Sequence, residues 1–131
     1  KYLKTKGIYK DSVRIEESVG RGFVDLVENL KLEGPEAEQV VRRSVQPLLD
    51  AGVDTIVLGC THYPFLIDVI SKVAGPGIRI IDPAPAVARH LVDVLREKNI
   101  SQTDENPERE LITSGSDKTV KALYDTCKNQ V

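Results

Sequence analysis

The stretch Asp54-Thr55-Ile56-Val57-Leu58-Gly59-Cys60-Thr61-His62-Tyr63-Pro64 decides the fold. Its apolar, β-branched run from Thr55 to Leu58 reads as a buried strand. Gly59 breaks the run, and Pro64 suits the first turn of a helix, where its missing N–H has no partner to lose. Strand, tight turn and helix start follow one another, with Cys60 on the turn. A cysteine there feels the positive end of the peptide dipoles, and the imidazole of His62 can stabilise its thiolate. Unpaired cysteines are more often buried filler than chemistry. Thr61 and His62, however, are polar where a buried helix start would continue apolar. The residues alone leave both readings of Cys60 open, core filler and reactive thiol.

Working outward, Val13 to Glu17 can form a short strand, and Gly20-Arg21-Gly22 marks a turn. Phe23 to Leu32 reads as a short helix ending near Gly34-Pro35. A stronger helix is predicted from Pro35 to Asp50: Glu36 and Glu38 suit its first turn, and Val40, Val41, Val45, Leu48 and Leu49 form an apolar stripe. Pro47 interrupts that pattern and should kink the last turn, before Ala51-Gly52 ends the helix. After the strand Thr55–Leu58 come a helix from Pro64 to Val73, closed by Gly75-Pro76-Gly77, and a strand from Ile78 to Ile81. Asp82 is placed to cap a helix from Pro83 to Lys98. Residues 101–107 read as a polar loop, Leu111 to Thr113 as a last strand, and Ser116 or Asp117 as the cap of a final helix to Cys127. Strands alternating with helices imply parallel pairing and an α/β layered fold.

Composition bounds the function classes. The chain has 131 residues, enough for one domain with a real core, and its 40% hydrophobic and 29% charged content is that of a globular protein. A formal net charge of −2 offers no basic field to nucleic acid. The apolar runs are too short to span a bilayer, so no membrane partner is expected. Two cysteines read as free thiols in a reducing compartment. Cys60 and His62, without a second ligand pair, fall short of a tetrahedral zinc site, so no metal is expected. His90 lacks a cysteine or carboxylate at ligand spacing and reads as a surface or partly buried residue. Cys127 reads as a packing or surface thiol.

Leu58-Gly59-Cys60-Thr61-His62-Tyr63-Pro64-Phe65-Leu66 resembles the signature around the second catalytic cysteine of bacterial glutamate racemases. Phe23-Val24-Asp25-Leu26-Val27-Glu28 is similar to the family segment that ends in a Val-Glu pair, and Ile80-Ile81-Asp82-Pro83-Ala84 to the strand-to-helix passage after the cysteine motif. The chain departs from the family at Gly20-Arg21, where Cys-Pro is frequent, and at Asp25, where proline is frequent. The resemblance runs from about Glu16 onward and thins after Ser101.

That resemblance implies a lobe of the aspartate/glutamate racemase type, and an enzyme that interconverts L- and D-glutamate without a cofactor. It implies that Cys60 is one of two acid/bases, that His62 assists it, that Glu28 supports His62, and that Thr61 and His62 contact the substrate. It also implies D-glutamate supply for bacterial peptidoglycan, hence cell-wall biogenesis and cell shape, in the cytoplasm. Such enzymes are similar to one another in having two lobes with one cysteine each. No Asp-Ser-Gly run and no Gly-Cys-Asn-Thr-like motif stands here. The chain is therefore expected to be the C-terminal half, with the N-terminal half of the same enzyme as its partner. Residues 1–82 are expected in the second lobe, and residues 83–131 are expected to return to the first. Alone, the chain is expected to be inactive, and its apolar surface suggests a homo-oligomer. The alternatives are a related racemase or decarboxylase acting on another acid, which His62-Tyr63-Pro64 disfavours, and a non-catalytic α/β binding module with a vestigial thiol.

Overall fold

The computed structural model describes residues 7–9, 11–100 and 110–129. Among these, two short strands and five helices alternate in the order helix, helix, strand, helix, strand, helix, helix after a first turn of helix at residues 7–9. Helix α1 spans Phe23–Glu28 and helix α2 Pro35–Asp50. Gly22, with φ of 80°, supplies the left-handed turn that starts α1. Pro35 opens α2, and Glu36 and Glu38 lie in its first turn, where the helix dipole favours negative charge.

The α2 stripe falls where helical periodicity puts it. Ala37, Val41, Ser44 and Val45 are buried, and Val40, Leu48 and Leu49 border the core. The helix continues through Pro47 to Asp50, and the Pro47 carbonyl accepts the Ala51 N–H at 3.1 Å. Strand β1 (Thr55–Val57) then pairs in parallel with β2 (Arg79–Ile81), Ile56 opposite Ile80. The connection between them is a 3-10 turn, Tyr63–Leu66, followed by helix α3, Ile67–Ala74. A continuous α-helix from Pro64 was expected. Instead Tyr63 N–H bonds to the Cys60 carbonyl and Phe65 N–H to the His62 carbonyl, the tighter spacing of a 3-10 turn.

Leu66 and Ile70 are almost fully enclosed by the cluster that α1, α2, β1 and α3 build together, and Phe23, Leu26, Val27, Val41 and Val45 complete its inner face. Ser44, a buried polar residue, donates its hydroxyl to the Val19 carbonyl at 2.9 Å, so its burial costs little.

Two expected strands are absent. Residues 13–17 run without regular structure. They and the residues that follow are tied to α2 and its end by side chains: Arg14 donates to the Ala51 carbonyl, and Ser18 to the Ser44 carbonyl. Leu111–Thr113 is likewise irregular, with Ile112 82% exposed. Both segments have strand-like composition, but a strand exists only where a neighbour takes its backbone groups. The polar loop expected at residues 101–107 lies outside the described residues.

Helix α4 spans Ala84–Glu97 with Pro83 as its N-cap, one residue later than expected, and Asp82 just before it accepts the Ala84 N–H at 2.9 Å. None of its residues is buried, and Val87, Leu91 and Val92 face outward. Helix α5, Asp117–Asn129, starts behind Ser116, whose hydroxyl accepts the Thr119 N–H. Leu123 on α5 rests against the edge of the core. No helix of the described residues is long and apolar enough to cross a membrane.

Replacing Leu66 by alanine should destabilise the chain by roughly 2–5 kcal/mol, as deletion of a fully enclosed leucine does. Leu91→Ala should stay within about 0.5 kcal/mol. Urea unfolding followed by circular dichroism measures both, and equal losses would contradict the division between core and open helix.

Candidate active site

The thiol sits where β1 gives way to the turn. Leu58 is 3% exposed, and its N–H bonds to the Ile81 carbonyl at 3.0 Å, so the strand pairing extends to within two residues of Cys60. Beyond Gly59 the chain leaves the sheet, and Cys60 stands half-buried at the strand's C-terminal end. The turn cannot drift, because Leu66 and Ile70 anchor its far side in the core. No backbone hydrogen bond among the described residues uses the N–H groups of Thr61 or His62. Both precede a helix start, the kind of donor pair that suits a carboxylate.

His62 lies between two partners. Its Nδ1 is 3.9 Å from the Cys60 Sγ, and its Nε2 is 3.7 Å from a Glu28 carboxylate oxygen. Glu28 is the last residue of α1, so a sequence-distant helix end has been brought to the cysteine turn. The seat of that helix is set at its other end. The Phe23 and Tyr63 rings meet edge to face, centroids 5.0 Å apart, with Tyr63 adjacent to His62 in the chain. Gly20 makes room for this contact: a Cβ there would come within 2.7 Å of both the Phe23 ring and the Tyr63 hydroxyl.

The structure thus brings Cys60, His62 and Glu28 into one line and leaves Thr61 exposed at the thiol's side. Thiol, imidazole and carboxylate in that order can pass a proton: the ring accepts from sulfur at one nitrogen and is held at the other. Contacts near 4 Å are loose for catalysis, as such contacts are before a substrate closes them. Cys127 is exposed on α5, and His90 is exposed on α4. Among the described residues no group of three or more histidine, cysteine, aspartate or glutamate side chains is placed to hold a metal ion.

Sequence reasoning missed the second wall. An open cleft of about 350 Å³ is lined by Glu28, Asn29 and His62 on one side and by Thr113, Ser116, Thr119, Val120 and Leu123 on the other. Thr113 and Ser116 read in the sequence as a strand end and a helix cap, and no spacing rule relates them to His62.

The chain is a parallel α/β unit with a free thiol at a strand's C-terminal end, beside an imidazole and a carboxylate. Residues 3–91 match the family described as Asp/Glu/Hydantoin racemase. Among curated proteins, a glutamate racemase from Roseiflexus sp. is 41% identical over 92 residues, covering 70% of this chain and 34% of that protein. One from Deinococcus radiodurans is 38% identical over 117 residues, covering 88% of this chain and 40% of its own length. The crystal structure of glutamate racemase isoform RacE1 from Bacillus anthracis superimposes with a TM-score of 0.80 at 26% identity, over 98% of this chain and 49% of that one. A Francisella tularensis glutamate racemase, solved in complex with D-glutamate, matches with a TM-score of 0.69 at 26% identity, over 79% of this chain and 40% of that one.

The chain belongs to the Asp/Glu/Hydantoin racemase family. It spans 34% and 40% of the length of those two curated relatives.

If the imidazole assists the thiol, Cys60 should be alkylated by iodoacetamide faster than Cys127, although Cys127 is the more exposed. His62→Ala should bring the Cys60 rate down to that of Cys127. Peptide mass spectrometry of the time course gives both rates, and an inert Cys60 beside a reactive Cys127 would mark the thiol as vestigial.

Proposed function

We propose that this chain is the Cys60-bearing part of a glutamate racemase that interconverts L- and D-glutamate without a cofactor. The observation that carries the reading is the line Cys60–His62–Glu28 in a chain whose similar proteins are glutamate racemases. The Francisella tularensis relative holds D-glutamate, which supports glutamate as the substrate here.

The chemistry follows from the groups. Removing the α-proton of an amino acid leaves a carbanion, and inversion needs a proton returned to the opposite face. Two thiols, one on each face, do this without either moving: one thiolate takes the proton and the other thiol gives one. Cys60 serves one face. A second thiol outside this chain serves the other, in the N-terminal half that is the chain's proposed partner. His62 accepts the Cys60 proton through Nδ1, and Glu28 orients the ring through Nε2. The N–H groups of Thr61 and His62, with the Thr61 hydroxyl, receive a substrate carboxylate.

In this reading residues up to Asp82 belong to the lobe that carries Cys60, and residues 83–131 return toward the other lobe. The outward Val87, Leu91 and Val92 of α4 support it, because an amphipathic helix with no buried residue has its partner elsewhere. Left uncovered, the same face would favour self-association into a homo-oligomer. The product, D-glutamate, would serve peptidoglycan synthesis in a bacterial cytoplasm, a reading supported by the bacterial origin of the similar proteins.

In the assembled enzyme, Cys60→Ala should lower racemisation by at least about 10²-fold, the cost of losing a general acid–base group. Cys127→Ala should leave it nearly intact. Circular dichroism of glutamate solutions follows the inversion directly. The 131-residue chain alone should show no turnover at high concentration. Turnover by the pure chain that Cys60→Ala removes would overturn the two-thiol reading.

A further inference from the structure

A second pocket involves none of Cys60, His62 and Glu28. It is open, encloses about 560 Å³, and lies between the segment of residues 17–22 and α2. Its two walls are latched together. Ser18 donates its hydroxyl to the Ser44 carbonyl at 2.7 Å, and Ser44 donates its own to the Val19 carbonyl at 2.9 Å. Gly22 lets the turn come close to α2, since a Cβ there would stand 3.2 Å from Cγ1 of Val40. Both serine hydrogens are spent on the latch. The side-chain donors that remain on the lining are the guanidinium groups of Arg21 and Arg43, one from each wall.

Arg21 is carried by a tight turn, its N–H bonded to the Val19 carbonyl at 2.8 Å, and Arg43 by the middle of α2. Among the described residues no side chain pairs with either guanidinium. The carboxylate on the lining, Glu17, is itself engaged in an interaction. A guanidinium stays charged throughout the physiological range, and its N–H fork matches the oxygens of an anion. Donors arriving from two walls suit a tetrahedral phosphate, which can present oxygens to both, better than a planar carboxylate, which meets one fork edge-on. Val19, 68% exposed, and Val40 add apolar surface to the same pocket.

We propose that this pocket binds a phosphate monoester with an apolar body, the phosphate held between Arg21 and Arg43 and the body resting on Val19 and Val40. The site is independent of the role proposed for Cys60, and loss of either would leave the other standing.

Titration of the 131-residue chain with phenyl phosphate, followed by amide NMR, tests the assignment. Saturable shifts should gather at residues 17–22 and 40–44. Arg21→Gln and Arg43→Gln should each weaken binding by at least about tenfold, the loss of a charge-assisted hydrogen bond. Both side chains are exposed, so neither change should disturb the fold. Arg42→Gln removes the same charge from the same helix at a position that does not line the pocket, and should cost less than about twofold. Arg43→Lys, which keeps the charge and loses the fork, should fall between Arg42→Gln and Arg43→Gln. Affinity should drop as pH is lowered through about 6, where the phosphate loses its second charge and both guanidinium groups keep theirs. Benzoate, with the same ring on a planar carboxylate, should bind at least about tenfold more weakly. Shifts that scatter over the surface without saturating, an Arg42→Gln loss equal to that of Arg43→Gln, or benzoate binding as tight as phenyl phosphate would overturn the proposal.

Discussion

Leu66 and Ile70 lose nearly all contact with water, and the position of every group at the thiol depends on that burial. They lie one helical turn apart, across the passage from the 3-10 turn to α3, and both reach the cluster shared with α1 and α2. Each enclosed aliphatic side chain contributes about 1.5–3 kcal/mol relative to exposure, more than any polar contact around Cys60 can offer. The apolar anchor therefore dictates where the turn goes, and the polar residues take the geometry it leaves. Pairing of β1 with β2 fixes the near side of the turn, and the anchor fixes the far side. Cys60, Thr61 and His62 are strung between two immobile points.

Helix α1 is held against that turn at both of its ends. Phe23 meets Tyr63 edge to face, and Glu28 meets His62. The first contact has enthalpic weight beyond its area, of about 0.5–1.5 kcal/mol. The second is half in water, and a pair so exposed adds about 0–1 kcal/mol to stability at most. Gly20 belongs to the same arrangement, since a side chain there would meet both rings. With these ring positions, only a residue without a Cβ fits at position 20. The approach of Glu28 to His62 is then set by aromatic contact at the far end of a six-residue helix, not by attraction between the charges.

Legibility in the sequence followed the range of the interaction. Helix α2 was readable to the residue, because Gly34-Pro35 starts it, Ala51-Gly52 ends it and its stripe is local. The strand at Thr55 was readable for the same reason. Val13 to Glu17 and Leu111 to Thr113 were misread because β composition describes a side chain's fitness for a sheet, while a strand also requires a neighbour that the sequence does not announce. The 3-10 turn escaped because Pro64 is equally compatible with the first turn of either helix type. At the site, Cys60 and His62 were legible as adjacent chemistry. Glu28 came only from resemblance, since no periodicity links the end of α1 to a turn so far along the chain. Thr113, Ser116 and Thr119 carried no signal at all, because the contact that places them opposite His62 is tertiary.

The division of burial along the chain has a functional consequence. Everything from Phe23 to Ala74 that faces inward is enclosed, and nothing in α4 is. The apolar residues of α4 do not cover the open side of the two-stranded sheet, where Val57 is 61% exposed. In the proposed two-lobe enzyme these faces meet the remainder of the protein, and the strand end that carries Cys60 lies at that boundary. A thiol buried on all sides would be inert, and one fully in water would lack the fixed donors that favour its thiolate. The half-buried position of Cys60, with the core behind it and an open surface in front, suits the acid/base role proposed for it.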